Sequence, residues 1–244
     1  MRSIKDSPFW TLRFWASQQV RATNLTITAT RSVFNNDGVD IDSTQNAVIE
    51  NIYYDGGDDA VALKSGLCKA GVDFATPTAN VRIENFIART RDACFCTGSE
   101  DEGGTHNVTV RGLNCRDSPK GILLKDAGTF GGLHPPKSNM SFQDIVLHNI
   151  SLWCHDGAPC VGPVPATPEV PGDGLTVQGV DGVTIKDVVG TLVPHAGKLQ
   201  LARNATFVNI SIGPGGAKHG FSCGSNVSEI TAQGVSPPIP CVVP

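Results

Sequence analysis

Short stretches of alternating apolar and polar residues recur along the chain, and each is opened by Asn or Gly. Successive stretches begin 22, 34, 27, 32, 43, 22 and 22 residues apart. The clearest are NAVIENI from Asn46, NVRIENF from Asn80, NVTVRGL from Asn107, NMSFQDI from Asn139, GVTIKDV from Gly182 and NATFVNI from Asn204, with weaker copies from Asn24 and Asn226. The alternation predicts one strand per repeat, and the shortest interval predicts the length of one unit.

A unit of this length cannot bury its apolar side chains alone, so it must stack on its neighbours. Stacked parallel strands of this kind form a β-helix, whereas the L-x-x-L-x-L pattern of a leucine-rich repeat is absent. We therefore predict an all-β solenoid of about eight or more coils. Residues such as Ile49, Ile52, Ile83 and Phe86 are expected to point into the coil, and the turn asparagines to form a hydrogen-bonded ladder between coils.

The repeats predict a single domain over residues 1–244, interrupted by loops. Segments 66–78, 100–105 and 125–137 follow three consecutive repeats, and insertions of a solenoid cluster on its binding face. A Pro-rich loop is expected at 154–172 and a tail that ends the repeats at 234–244.

Composition and charge fit a β-rich chain and exclude some partners. The chain has 27 Gly, 16 Pro and 17% charged residues, which is typical of many turns and few long helices. A net charge of −4 and a pI near 5.8 offer no basic face for nucleic acid or an anionic membrane. No apolar run of about 18 residues could span a bilayer. A polyanionic partner would therefore need a local cationic site.

Eight cysteines without paired CxxC spacing favour disulfides over zinc and indicate a secreted protein. Cys154 could pair with Cys160, or both could be free, and Cys223 could pair with Cys241. The seven N-x-S/T sequons lie at Asn24, Asn107, Asn139, Asn149, Asn204, Asn209 and Asn226. They either carry glycans or arise because a turn Asn precedes a Thr/Ser-rich strand.

Three acidic residues stand about one repeat apart. The separation of Asp37 from Asp59 equals the shortest repeat interval, and Asp58 directly precedes Asp59, so stacking should make all three neighbours on adjacent coils. Gly56 and Gly57 are expected to bend the backbone so that both Asp58 and Asp59 reach solvent. The pKa of at least one of three such close carboxyl groups should rise, giving a protonated acid beside an ionised base.

An acid beside a base is what glycosidic bond hydrolysis requires. The alternatives on spacing alone are a calcium site and a solvated Asp-rich turn. The order of Asp37, Asp40 and Asp42 does not fit an EF-hand loop.

Two motifs around these acids resemble those of one enzyme family. NNDGVDIDS (35–43) is similar to N-T-D-G-I-D-P-D-S, and GDDAVALKSG (57–66) to G-D-D-A-I-A-I-K-S-G, of glycoside hydrolase family 28, the polygalacturonase-like pectinases. DSPFWTL, CFCTGSEDEGGTHNV and GILLKDAGTFGG also match, in order, the S-P-F-W-T, G-I-A-I-G-S-E-M-S-G-G and G-I-R-I-K-T-x-x-G-R-G-G stretches of the family.

This resemblance implies a right-handed parallel β-helix and hydrolysis with inversion. Asp58 would be the general acid, and Asp37 and Asp59 would activate water. Lys125 would bind a substrate carboxylate, and Lys64 would be a second cation near the acids. Either lysine could instead be an ordinary surface side chain. No cofactor or metal is expected.

Two positions depart from the family motifs. Ala93 or its neighbour stands where many members have a histidine, although the most similar subgroup also tends to lack it. Leu123 replaces the arginine of R-I-K and so removes one clamp for a carboxylate. His106 and His134 are expected to be loop residues, and Trp10, Trp15 and Trp153 to be buried rather than to stack on sugars.

We therefore predict a secreted glycosidase of the cell wall acting on pectin-like galacturonan, monomeric when full length. The alternatives are a pectinase acting on rhamnogalacturonan or xylogalacturonan, and a catalytically weak carbohydrate-binding β-helix. Residues 1–15 lack the regions of a signal peptide. Family members carry further coils and a capping helix before S-P-F-W, so the resemblance implies an N-terminally truncated member.

Overall fold

The structure is a computed structural model that describes residues 2–74, 76–125, 137–150, 173–193, 195–212 and 219–241. Its strands are β1 (Arg2–Lys5), β2 (Leu12–Trp15), β3 (Arg21–Thr28), β4 (Val39–Asp42), β5 (Gln45–Asp55), β6 (Val61–Lys64), β7 (Thr78–Arg89), β8 (Ala93–Thr97), β9 (Thr105–Ser118), β10 (Lys120–Leu124), β11 (Lys137–Ile150), β12 (Asp173–Thr191), β13 (His195–Ile212), β14 (His219–Cys223) and β15 (Ser228–Ser236). One helix, α1 (Cys68–Phe74), lies in the predicted insertion after β6. No helix of these segments is long and apolar enough to cross a membrane.

All fifteen strands belong to one curled sheet in which every strand pair is parallel. One row of pairs runs β1-β3-β5-β7-β9-β11, and a second runs β2-β4-β6-β8-β10, each strand pairing with its counterpart on the next coil. The two rows meet at the long strand β12. Strand β12 also pairs with β13, and β13 pairs in turn with β14 and β15. The predicted parallel β-helix is confirmed.

The core lies inside the coils, where the alternation of the sequence places it. Ile49, Ile52, Ile83 and Phe86 are all fully buried, as predicted. Ile52 pairs with Phe86, and Phe86 pairs in turn with Leu113, so apolar side chains stack in columns along the axis. Burying one such side chain stabilises the fold by roughly 1.5–3 kcal/mol.

The predicted asparagine ladder is present at the turns. The side-chain amide of Asn80 donates to Asn46 over 3.1 Å, Asn107 to Asn80 over 3.2 Å and Asn139 to Asn107 over 3.3 Å. All four residues have φ between 53° and 59°, the left-handed conformation that Asn adopts more readily than most residues. These bends let one continuous strand turn a corner of the coil.

A second column corrects the predicted starts of two repeats. Leu25 pairs with Ile52, so Asn24 stacks beside Asn51 rather than Asn46, and Asn51 donates to Asn24 over 3.2 Å. Near the other end, Ala205 pairs with Ile230, so the residue next to Asn204 is Glu229, not Asn226. The sequence pattern failed at the first coil because both corners of a coil favour Asn, and at the last coil because Glu229 occupies the corner in place of Asn.

The sequons fit the turn explanation. Five of the seven asparagines donate side-chain hydrogen bonds to the preceding coil: Asn107, Asn139, Asn149, Asn204 and Asn209. Asn24 accepts one in the same way. Stacking at the corners therefore accounts for these asparagines without a glycan.

Disulfides fix two further points of the chain. Cys223 and Cys241 are bonded, as predicted, and tie the tail to the last coils. Cys94 and Cys115 form a second bridge that the sequence did not predict. The Pro-rich loop, the pair Cys154 and Cys160, and also His134 and Trp153, lie outside the described residues.

Candidate active site

The sheet register brings the three acids together. Val39 pairs with Val61, so Asp37 lies beside Asp59, and Gly38 N donates to Asp59 O over 2.9 Å. One carboxylate oxygen from each of Asp37, Asp58 and Asp59 lies within 4.8 Å of the other two. The shortest repeat interval of the sequence is therefore the offset between neighbouring coils at this place.

The turns that present the acids are fixed by close packing. Asn36 Oδ1 accepts a hydrogen bond from Gly57 N over 2.8 Å, and the Tyr54 hydroxyl lies 3.0 Å from Asn36 O. A Cβ at Gly56 would lie 2.2 Å from the Tyr54 hydroxyl oxygen, and one at Gly57 would lie 2.1 Å from a backbone carbonyl. Both glycines are therefore required for space.

The expectation that these glycines expose both acids is wrong for one of them. Asp58 is half-buried, whereas Asp59 is only 4% exposed and Asp37 only 2%. Only Asp58 among the three therefore presents a substantial surface to a ligand. Packing of the next coil, on which Ala93 N donates to Asp59 Oδ1 over 3.0 Å, accounts for the burial of Asp59.

Asp58 is held by the backbone. Its Oδ2 accepts a hydrogen bond from Asn35 N over 2.8 Å, and its Oδ1 accepts one from Asp59 N over 2.9 Å. The Thr90 hydroxyl donates to the Asp58 carbonyl. These contacts fix the orientation of the side chain while leaving it open to solvent.

Asp59 has the surroundings of an ionised carboxylate. Its Oδ2 accepts a hydrogen bond from the Cys96 thiol over 2.8 Å and lies 3.7 Å from Lys125 Nζ. Burial opposes ionisation, but Lys125, the Cys96 thiol and Lys64 together hold the pKa of Asp59 below its ordinary value. Asp59 therefore favours its ionised form.

Asp37 has the opposite character. Burial, with the neighbouring carboxyl groups of Asp40 and Asp59, raises the pKa of Asp37 to about 9. Burial also raises the pKa of Asp40 to about 7, although Lys64 opposes this shift. The pKa shifts of Asp37 and Asp59 are therefore opposite in direction: Asp37 favours its neutral form and Asp59 its ionised form.

The two predicted lysines have different surroundings. Lys64 Nζ lies 3.0 Å from Glu100, 3.5 Å from Asp40 and 3.6 Å from Asp37, and its side chain is 5% exposed. It is therefore a buried counter-charge and not a surface side chain. Lys125 is 24% exposed beside Asp59, so of these two lysines it is the one that a ligand in the cleft can reach.

The same lysines bear on the calcium alternative. Asp37, Asp58 and Asp59 offer three carboxylate oxygens in a group small enough to surround a cation. However, Lys64 and Lys125 already lie within 4 Å of two of these acids and supply positive charge. The donor set therefore needs no metal ion to be electrically balanced.

Several site residues were not predicted from the sequence. Asp92 and Lys120 form an ion pair on the coils after Asp59. Leu123 stands where the family motif has arginine, and it packs on Ala62, Ala93 and Cys96. These four residues form an apolar floor of the cleft beside Asp59. Cys96 pairs with Ala62 and Leu123 in the sheet, so alignment of the coils was the signal that could have placed it.

The expected burial of the tryptophans is only partly correct. Trp10 is half-buried, and its ring lies 4.4 Å from Lys64 Nζ. Trp15 is 57% exposed and stacks on Phe74 of α1, with ring centroids 5.9 Å apart. His106 lies within β9 and not in a loop.

Comparison with known proteins places the chain in a family. It matches the model of Glycosyl hydrolases family 28 over residues 2–232. A polygalacturonase of Persea americana is 27% identical over 244 residues, covering 96% of this chain and 49% of that protein. The chain therefore spans about half the length of this relative.

Solved structures share the fold. The family 28 exopolygalacturonase of Yersinia enterocolitica has a TM-score of 0.58 at 15% identity, covering 98% of this chain and 43% of that one. An exopolygalacturonase from Thermotoga maritima has a TM-score of 0.52 at 20% identity, covering 95% and 51%. Together with the match over residues 2–232, the carboxylate cluster and its β-helix show that the chain belongs to glycosyl hydrolases family 28.

Proposed function

We propose that the protein hydrolyses glycosidic bonds in pectin-like galacturonan outside the cell. The observation that carries this proposal is the group of three carboxyl groups within 4.8 Å, two of which have opposite pKa shifts. Glycosidic cleavage needs a proton donor and a base at one bond. Lys125, exposed beside Asp59, suits the carboxylate of a uronate unit.

We assign the proton donor to Asp58, because it is the acid of the three that a substrate can reach. Its oxygens accept two backbone N–H bonds, which hold the carboxyl group in one orientation in the cleft. The ionised Asp59 is the base for the attacking water, and the neutral Asp37 holds that water by a hydrogen bond.

Water, rather than a carboxylate, is the proposed nucleophile. Asp59 Oδ1 and Oδ2 each accept a hydrogen bond from the protein, and Asp37 is uncharged at neutral pH, so neither is well placed to attack carbon. Attack by water inverts the anomeric centre. The closest oxygens of the three acids lie within 4.8 Å of one another, nearer than the roughly 6.5–9.5 Å usual for inversion, so the anomer of the first product decides between inversion and retention.

Replacing Asp58 tests its proposed role as the proton donor. Asp58→Asn should lower the release of reducing ends from polygalacturonate by at least about 100-fold, because general acid catalysis contributes about 10²–10⁴-fold. Asp144→Asn, at an exposed acid paired with Arg111 and remote from the cleft, is the matched control. Proton NMR of the first product should show the inverted anomer.

Three results would count against the proposal. Full activity of Asp58→Asn would remove Asp58 from the mechanism, and retention of configuration would replace water with a carboxylate nucleophile. Absence of turnover on every pectic polymer, with binding preserved, would favour the carbohydrate-binding β-helix.

Leu123 favours a second candidate substrate. An apolar side chain at the floor cannot replace the arginine that the family motif provides for a carboxylate, and it leaves Lys125, 3.7 Å from Asp59 and 24% exposed, as a partly exposed cation beside that acid. A polymer with fewer free carboxylates, such as rhamnogalacturonan or xylogalacturonan, fits this floor better. A higher kcat/KM on these polymers than on polygalacturonate would identify the alternative substrate, and Leu123→Arg should shift preference back.

A further inference from the structure

A buried thiol lies against one of the three carboxyl groups. Cys96 is fully buried on the floor of the cleft, and its Sγ donates to Asp59 Oδ2 over 2.8 Å. Cys94, two residues earlier, is bonded to Cys115, whereas Cys96 remains a thiol. Disulfide formation therefore does not explain the cysteine at this position.

The Cys96 thiol has two acceptors within reach, Asp59 Oδ2 at 2.8 Å and the Gly98 carbonyl oxygen at 3.6 Å, and Asp59 is the nearer of the two. The neighbours of the thiol on the floor are Ala62, Ala93 and Leu123, which offer no side-chain donor or acceptor. Asp59 Oδ1 accepts a hydrogen bond from Ala93 N over 3.0 Å, while Lys125 Nζ lies 3.7 Å from Oδ2, beyond hydrogen-bond distance. Within the described part of the site, the thiol is therefore the side chain that hydrogen-bonds Oδ2.

We propose that Cys96 is a positioning residue whose thiol orients the Asp59 carboxylate and favours its ionised form. The contribution to catalysis rests on the proposed function, whereas the hydrogen bond itself does not. For this role the sulfur must keep its proton. Burial, with Asp59 nearby, raises the pKa of the Cys96 thiol well above its ordinary value, so the donor persists over the working range of pH.

Other charged groups also act on this contact. They are Lys125, Lys64 and Lys120, which favour the Asp59 carboxylate, and Asp92, Asp37 and Asp58, whose negative charges oppose it when ionised. The lysines remain when the thiol is removed. We therefore expect a shift in the ionisation of Asp59 and not a complete loss of the carboxylate.

A matched pair of variants separates the donor from its volume. Ala and Ser leave nearly the same space at residue 96, but only Ser keeps a donor. In Cys96→Ala the acid limb of the kcat/KM profile should move to higher pH by about one unit, because Asp59 loses one hydrogen bond that favours its charge. In Cys96→Ser the limb should stay near that of the wild type. Equal profiles for the two variants would overturn the proposal.

A second measurement needs no substrate. The S–H stretching band that disappears in Cys96→Ala should shift to higher frequency as Asp59 becomes protonated at low pH, because a neutral carboxyl group is a weaker acceptor. In Asp59→Asn the band should no longer respond to pH in this range. A band that is independent of pH in the wild type would contradict the proposal. A pH-dependent band in a protein without any hydrolytic activity would instead contradict only the proposed function.

Discussion

Asp37 and Asp59 lie side by side on neighbouring coils, yet their carboxyl groups have opposite pKa shifts. Both are almost fully buried, so burial alone does not explain the difference. Asp59 has the Cys96 thiol and Lys125 at one oxygen, whereas Asp37 faces Asp40 and Asp59 and has Lys64 only at 3.6 Å. The partners on each coil therefore decide which carboxyl group keeps its proton.

Replacing Asp37 should stabilise the fold while lowering activity. Because the pKa of Asp37 is raised to about 9, the native state keeps a proton that the unfolded chain releases near pH 4. The contribution of Asp37 to the free energy of unfolding is therefore fully present below about pH 4 and is lost as pH rises toward 9. Asp37→Asn mimics the protonated form, so it should gain about 1–3 kcal/mol in free energy of unfolding at pH 7.

Urea unfolding of Asp37→Asn at pH 5 and pH 8 measures this gain, with Asp144→Asn at an exposed acid as the control. The difference from the wild type should be larger at pH 8. A gain that does not change with pH would show that Asp37 is ionised in the native protein.

A buried ion pair beside the site should be costly to break. Lys137 Nζ lies 3.0 Å from Asp101, both side chains are almost fully buried, and Ser65 and Thr105 donate to the same carboxylate. Lys137→Met leaves the Asp101 charge without its cation and should destabilise the protein by about 3–5 kcal/mol. Chemical denaturation should show that adding Asp101→Asn restores part of this loss. If the two losses simply add, Lys137 acts through packing alone.

Single residues were predictable where one interval fixed their positions. The interval between Asp37 and Asp59 matches the offset of the coils, so their contact followed from the sequence. The contact between Cys96 and Asp59 did not follow from the sequence in this way. The two coils that bring these residues together are separated by a longer offset, which is the one between Ala62 and Cys96. The burial of Lys64 also depends on Glu100 and Asp40, which no local motif connects.

At the scale of the repeated element, asparagine gives each coil its corners. The amide donates to the preceding coil, and the backbone adopts a left-handed conformation that is costly for most residues. Gly112 and Gly182 have positive φ as well and occupy the same kind of corner without an amide. Backbone conformation and hydrogen bonding are thus two separable requirements.

Two substitutions at Asn107 should separate these requirements. Asn107→Gly removes the ladder bonds but keeps the backbone conformation, and should cost about 1 kcal/mol. Asn107→Ala also strains the backbone and should cost about 2–3 kcal/mol. Thermal unfolding followed by circular dichroism measures both variants. Equal losses would show that φ at Asn107 carries no strain for alanine.

The strands were predictable because apolar and polar residues alternate in each repeat. The pairing register between neighbouring coils was not predictable where both corners of a coil carry Asn. Asn46 and Asn51 both have positive φ in one strand, and the sequence pattern does not show which of them matches Asn24 in the first coil. Hydrogen bonding between Asn24 and Asn51 resolves the choice.

At the scale of the whole molecule, the described coils pair with their immediate neighbours. Strand β5 pairs with β3 and β7, and the strands near Asp37 and Asp59 pair with β2, with each other and with β8. Stability is then spread along the axis as a sum over coils and the interfaces between them. Positions in the stack, and not distance from the core, should decide which part opens first.

The position of β4 in the stack has a consequence for heat inactivation. Among the described strands, only β1, β2 and β3 lie on the outer side of the coil that carries Asp37. In residues 1–244 expressed alone, such a stack opens from its ends, so activity should be lost several degrees below the midpoint of global unfolding. Amide exchange in β4 should accordingly be faster than in the central strand β9.

Coincident loss of activity and of circular dichroism would contradict this order of events. If the order holds, residual activity reports the intactness of one end of the stack, while most of the coils can still be folded. An inactive preparation with a full β spectrum would then be a partly unwound protein rather than a misfolded one.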